Sequence, residues 1–108
     1  MEGKKNDQEK PMMALIPQEA LLEVAKVLSF GAKRYGEWNW AKGMKFSRLL
    51  SAVYRHLAEV QQKHDLDDET GLRHTAHAVC GLLFLLSYQI NGLGEDDRYD
   101  RDLRTPKL

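Results

Sequence analysis

Apolar residues recur at helical spacing in three stretches of the chain, and nowhere do they alternate in the two-residue rhythm of a strand. Leu21, Val24, Leu28, Ala32 and Tyr35 form the first stripe. Pro17, suited to a first helical position, opens it; Glu19 adds a negative charge in the first turn, and Gly36 stops it. Leu50, Val53, Leu57 and Val60 form the second stripe, with Ser47 as N-cap and a fade at Lys63-His64. His56 sits at the edge of that stripe, and Arg55 lies further toward solvent. The third stretch runs from about Leu72 to Ile90 and is apolar on every side between Ala76 and Leu86, which predicts a central helix. His74, His77, Gly81, Leu85 and Tyr88 share one of its faces, and Asn91-Gly92 ends it.

This pattern predicts an all-α fold, a small helical bundle of three main helices in one domain over residues 1–108. Three helices do not easily enclose one that is apolar all round, so homo-oligomerisation is expected to complete the bundle, as a homodimer or homotetramer. A polar arm occupies 1–11, the helical core 12–92 and a charged tail 93–108, with Met12 to Ile16 stapling the arm to the core. Two connections stand out. Residues 36–46, GEWNWAKGMKF, are aromatic and basic; residues 65–71, DLDDETG, are acidic and bring negative charge to the start of the third helix.

Charge and cysteine content narrow the function classes. Sixteen Lys and Arg balance 16 Asp and Glu, which argues against general nucleic-acid binding but allows a local basic pocket. The apolar run from Ala76 to Leu86 is too short to span a bilayer, and no apolar segment follows the polar N-terminus as in a signal peptide. With Cys80 as the one cysteine, these features predict a cytoplasmic protein without membrane contact, and Cys80 reads as a small core residue.

Three groups of residues carry candidate chemistry. His74 and His77, three apart on a buried helix, face the same way, and a neighbouring helix offers His56 and Glu59 at the same spacing. These four are the candidate catalytic residues. Such imidazole and carboxylate groups suit zinc, manganese or iron, or they serve as satisfied core histidines. Asp65, Asp67, Asp68 and Glu69 present oxygen ligands for Mg²⁺, or form a solvated helix start. The metal candidates are therefore Glu59, Asp67, Asp68, Glu69, His74 and His77, for a divalent ion such as Mg, Mn, Co or Zn. Tyr35, Trp38, Asn39, Trp40 and Lys42 offer stacking faces and a cation for a small nucleotide ligand, with Lys33, Arg34 and Arg48 adding charge for its phosphates. The plainer reading is that the tryptophans plug the helical core, and one tryptophan can do each job. Arg55 either clamps a phosphate or pairs with Glu59 one turn on.

Lys10-Pro11, the Ile16-Pro17 start with Glu19-Ala20-Leu21, and Phe30-Gly31-Ala32-Lys33 with Tyr35 occur in order. Asn39-Trp40, Arg55-His56, and Asp67 with Glu69, Gly71-Leu72, His74 and His77 follow them. In this order and spacing the chain resembles the phage-type dATP/dGTP diphosphohydrolase N-terminal domain family over roughly residues 10 to 100. That family looks related to the MazG-like all-α nucleoside triphosphate pyrophosphohydrolases, whose EExxE and ExxD carboxylates hold Mg²⁺ and split a dNTP into dNMP and pyrophosphate. The resemblance sets Arg55, His56 and Glu59 where EExxE would stand, and His74 and His77 where ExxD would stand. Glu59 alone keeps its carboxylate. The resemblance thus implies a (d)NTP pyrophosphohydrolase. The lost carboxylates suggest an alternative: a catalytically inactive sponge that sequesters a nucleotide-derived immune signal.

Overall fold

The computed structural model describes residues 9–100 and 102, so most of the expected arm and the end of the expected tail lie outside the described residues. Three helices carry the architecture: α1 (Gln18–Tyr35), α2 (Phe46–Gln61) and α3 (His74–Asn91). Short 3-10 helices at Met13–Leu15 and Asn39–Lys42 complete the list. Among the described residues, strand-like pairing is limited to two isolated bridges, Lys45 with Glu95 and Leu66 with Arg73. The fold is all-α, as the periodicity predicts.

α2 and α3 form an antiparallel hairpin, because Phe46 meets Tyr88 at one end and His56 meets His74 at the other. Phe46, Leu49, Leu85 and Tyr88 make one buried cluster, with Trp40, Met44, Leu50, Phe84 and Leu93 packed around it. Removing each of those side chains from water contributes about 1.5–3 kcal/mol. At the middle of the hairpin a Cβ on Gly81 would come within 2.9 Å of Val53 Cγ2, so the bare glycine lets the helices close. α1 packs on another side of α3, where Val24 and Val27 meet Ala76 and Cys80.

The registers differ from the sequence reading in instructive ways. α2 buries Phe46, Leu49 and Val53, while Leu57 is exposed. The row 46-49-53 leads on to His56, which is half-buried at its end. α1 buries Val24 and Val27 but leaves Leu21 and Tyr35 exposed, because its main helix partner, α3, lies along one side. α3 is not covered on every side: α1 and α2 take two flanks, and Val79, Leu82, Leu83, Leu86 and Ile90 stay exposed on the third. The face shared by His74, His77, Gly81, Leu85 and Tyr88 does turn toward α2.

Helix ends also depart from expectation. Pro17 is the residue just before α1, and Lys45, not Ser47, is the cap of α2. Ser47 lies inside the first turn, where its N–H donates to Asp97 Oδ1 at 2.8 Å and its hydroxyl donates to Asp97 Oδ2. Asp97 thus brings a carboxylate to a helix N-terminus, satisfying an orphan donor and complementing the dipole. The chain after α3 is held there by backbone bonds: Glu95 N–H donates to the Met44 carbonyl and Phe46 N–H to the Glu95 carbonyl. Gly94, at φ 73°, allows this approach, since a Cβ there would fall 2.6 Å from the Met44 oxygen. At α3, Arg73 is the cap and the first turn holds no acidic residue; the acidic loop meets the helix start through the Asp65 carbonyl, which accepts from His74 N–H.

Candidate active site

Three imidazoles occupy the end of the hairpin remote from Tyr88. His56 on α2 and His74 on α3 face each other with Nδ1 atoms 2.8 Å apart. The His77 ring lies nearly parallel to that of His56, centroids 4.7 Å apart and planes 10° off parallel. Both helices place them by simple periodicity, because each histidine continues a buried row that is apolar elsewhere. The acidic loop closes over the group. Asp67 Oδ1 accepts the backbone N–H of Glu69 and Thr70, which turns the loop, and Oδ2 lies 3.9 Å from His74 Nδ1. Thr70 Oγ1 is hydrogen-bonded to His77 Nε2 at 2.7 Å.

His56, Asp67 and His74 each present one ligand atom, all within 4.8 Å of one another, and no other such group occurs among the described residues. Burial holds His56 and His77 below the usual imidazole range; the other histidines add to this at His56, while Asp67 opposes it at His77. A neutral imidazole keeps a lone pair free for a metal. Burial works against the Asp67 charge, yet the Thr70 hydrogen bonds and the nearby His77 and His74 hold its carboxyl below the ordinary range. A donor set of two imidazoles and a carboxylate is chemically suited to a divalent transition ion. The two Nδ1 atoms, 2.8 Å apart, are at hydrogen-bond distance, so one imidazole donates to the other.

The cluster stands between two hollows. A groove of about 1120 Å³ runs past the C-terminal half of α1 and the 36–45 connection. It is lined by Arg34, Tyr35, Trp38, Asn39, Trp40 and Arg48, and also by His56, Asp67, Thr70 and His77. A second hollow of about 610 Å³ is lined by Glu59, His64, Asp67, Asp68, Glu69 and His74. Asp67 and Glu69 line both, so the aromatic and acidic sides adjoin at the cluster.

Of the candidate nucleotide-binding residues, Tyr35, Trp38, Asn39, Trp40 and Arg48 line the groove, whereas Lys33, Lys42 and Arg55 are exposed and line neither hollow. Of the metal candidates, Asp67 and His74 join the three-ligand group. Glu59 instead pairs with His64 at 2.9 Å, Glu69 forms an ion pair with Arg34, and His77 is engaged by Thr70. Asp68 lines the acidic hollow. The sequence reading groups His56 with Glu59, His74 and His77 as metal-suited side chains, though outside the six metal candidates, and it misses Thr70 and His64 altogether. Thr70 stands between Glu69 and Gly71, two residues of the motif, and that position is the signal the sequence offers. Cys80 is buried and its thiol is pushed up to about 11 by desolvation, so it is a core residue rather than a nucleophile.

Fold and site together define an all-helical domain with an imidazole–carboxylate centre set in a ligand-sized groove. The chain belongs to the dATP/dGTP diphosphohydrolase N-terminal family, whose model matches residues 1–98. It is 47% identical over 98 residues to a dATP/dGTP diphosphohydrolase of Salmonella phage PMBT28. The match covers 91% of this chain and 33% of that protein, so the chain spans about a third of its curated relative. No solved structure matches. No helix among the described residues is long and apolar enough to cross a membrane.

Proposed function

We propose that this chain binds a deoxynucleoside triphosphate with its phosphates at the His56–Asp67–His74 centre and hydrolyses it to the monophosphate and pyrophosphate. The observation that carries the reading is the convergence of two imidazoles and an ionised carboxylate between a groove and an acidic hollow. The name of the phage relative supplies the reaction class. Bound there, a divalent metal would neutralise phosphate charge and lower the pKa of an attacking water.

The chain's own residues divide the remaining work. His56, Asp67 and His74 hold the centre, with Asp67 fixed by the turn through Glu69 and Thr70. Thr70 orients His77, which stacks on His56 and keeps its ring in place. Arg48 offers the groove a cation for phosphate oxygens, and Arg34, paired with Glu69, ties the groove wall to the acidic loop. In the reaction, water adds to a phosphorus atom, one phosphoanhydride bond breaks, and pyrophosphate leaves.

The test is incubation of the purified chain with each dNTP and Mg²⁺, Mn²⁺, Co²⁺ or Zn²⁺, reading pyrophosphate and monophosphate together. Turnover with at least one metal, lost in His74→Ala, is the expected result. Absence of both products with every metal would sink hydrolysis. Intact nucleotide recovered from the denatured protein would then point to sequestration.

A further inference from the structure

The two tryptophans of the groove are spent differently. Trp40 belongs to the core: its ring stacks on Phe84 at 5.0 Å and 10°, and its carbonyl accepts the buried Tyr88 hydroxyl. Trp38 buries little. It is 70% exposed, and its one ring contact is a tilted one with Trp40 at 5.8 Å. Yet Trp38 holds a left-handed backbone, φ 62° and ψ 13°, immediately before the 3-10 helix Asn39–Lys42. That conformation is uncommon for a residue other than glycine, and less so for Asn or Asp than for a bulky ring. Folding therefore gains little from this side chain and bears a strained backbone to present it. Strain of this kind is kept where surrounding structure over-determines it, often at ligand sites.

The indole lines the same groove as His56 and Asp67. Tyr35, under the Arg34 guanidinium, lies on the same wall. We propose that Trp38 is the platform on which the nucleobase stacks, aimed by its left-handed backbone, so that the base lies at the tryptophan and the phosphates at the histidine cluster. The inference rests on reading the groove as a nucleotide site. An exposed indole suits this role because every base has a π-face, and a two-ring base covers more of the indole than a one-ring base.

The experiment compares wild type, Trp38→Gly and Trp38→Phe by calorimetry in Mn²⁺. Two probes are titrated: inorganic tripolyphosphate, and the α,β-methylene analogue of dATP, whose bridging carbon resists hydrolysis. Wild type should bind the analogue at least about fivefold more tightly than tripolyphosphate, the lower end of what one stacked base contributes. Trp38→Gly should bind tripolyphosphate like wild type and lose that margin, with Trp38→Phe in between. Because glycine adopts positive φ freely, Trp38→Gly should keep its Tm within about 3 °C of wild type or raise it. Unchanged analogue affinity in Trp38→Gly would overturn the platform. So would a wild type that binds both probes equally, while leaving the phosphate site standing. Failure of wild type to bind either probe would remove the nucleotide reading itself.

Discussion

The two ends of the α2–α3 hairpin use the same helical rows for opposite purposes. At one end Phe46, Leu49, Leu85 and Tyr88 fill the interface with apolar volume, and Tyr88 is fully buried with its hydroxyl bound to Trp40. At the other end the same rows carry His56, His74 and His77. The apolar end is also tied from outside, by the Asp97 carboxylate on the first turn of α2. The histidine end is closed by a loop whose carboxylate is part of the cluster. Gly81 against Val53 marks the boundary between them. One packing scheme thus yields a sealed interface where its positions are apolar, and a half-buried imidazole–carboxylate cluster where they are histidine.

The sharpest break of this contrast is expected at the apolar end. Tyr88→Ala should cost about 3–5 kcal/mol, a large share of the 5–15 kcal/mol typical of a domain, and urea denaturation would read it. Tyr88→Phe keeps the ring and should cost about 1 kcal/mol. A loss below about 1 kcal/mol in Tyr88→Ala would show that the buried end does not anchor the fold.

The same exchange at the histidine end should leave stability nearly untouched. Replacing both partners of a buried polar contact with apolar groups is close to neutral, so His56→Leu with His74→Leu should unfold within about 1 kcal/mol of wild type, or above it. Metal affinity, however, should fall by at least about 100-fold, and Mn²⁺ should no longer raise Tm. A double variant that still gains Tm from Mn²⁺ would place the metal elsewhere.

The smallest effect is the pH response of the cap. The Ser47 hydroxyl and N–H hold the Asp97 carboxyl below its ordinary value of 3.8. A carboxyl depressed in the folded state adds stability above its unfolded pKa, and that contribution is lost as pH falls through the folded one. Asp97→Asn should therefore be slightly less stable than wild type near pH 7, and the two should converge in the acid range below about 4. A gap that persists at acid pH would mean the residue acts by shape alone.

Much of this architecture was legible from spacing. Three periodic stretches gave three helices, and the face shared by His74, His77, Gly81, Leu85 and Tyr88 was readable because a helix repeats every 3.6 residues. Motif order pointed to the family that the chain belongs to. His56 scores as polar in isolation, and its half-burial on α2 is acceptable because the facing His74 offers a hydrogen-bond partner. Leu57, apolar in sequence, is left exposed because the neighbouring helices lie on the other side.

Local features follow from the chain alone: helix positions, their amphipathic faces and the residue types available for chemistry, all set by backbone periodicity and side-chain polarity. Meetings between distant segments needed the packed fold. Asp97 reached the start of α2, Asp67 joined His56 and His74, and Trp40 went to the core while Trp38 stayed at the groove. Each depends on how helices pack and where connections return, which is fixed by the summed burial of many side chains rather than by any local run of sequence.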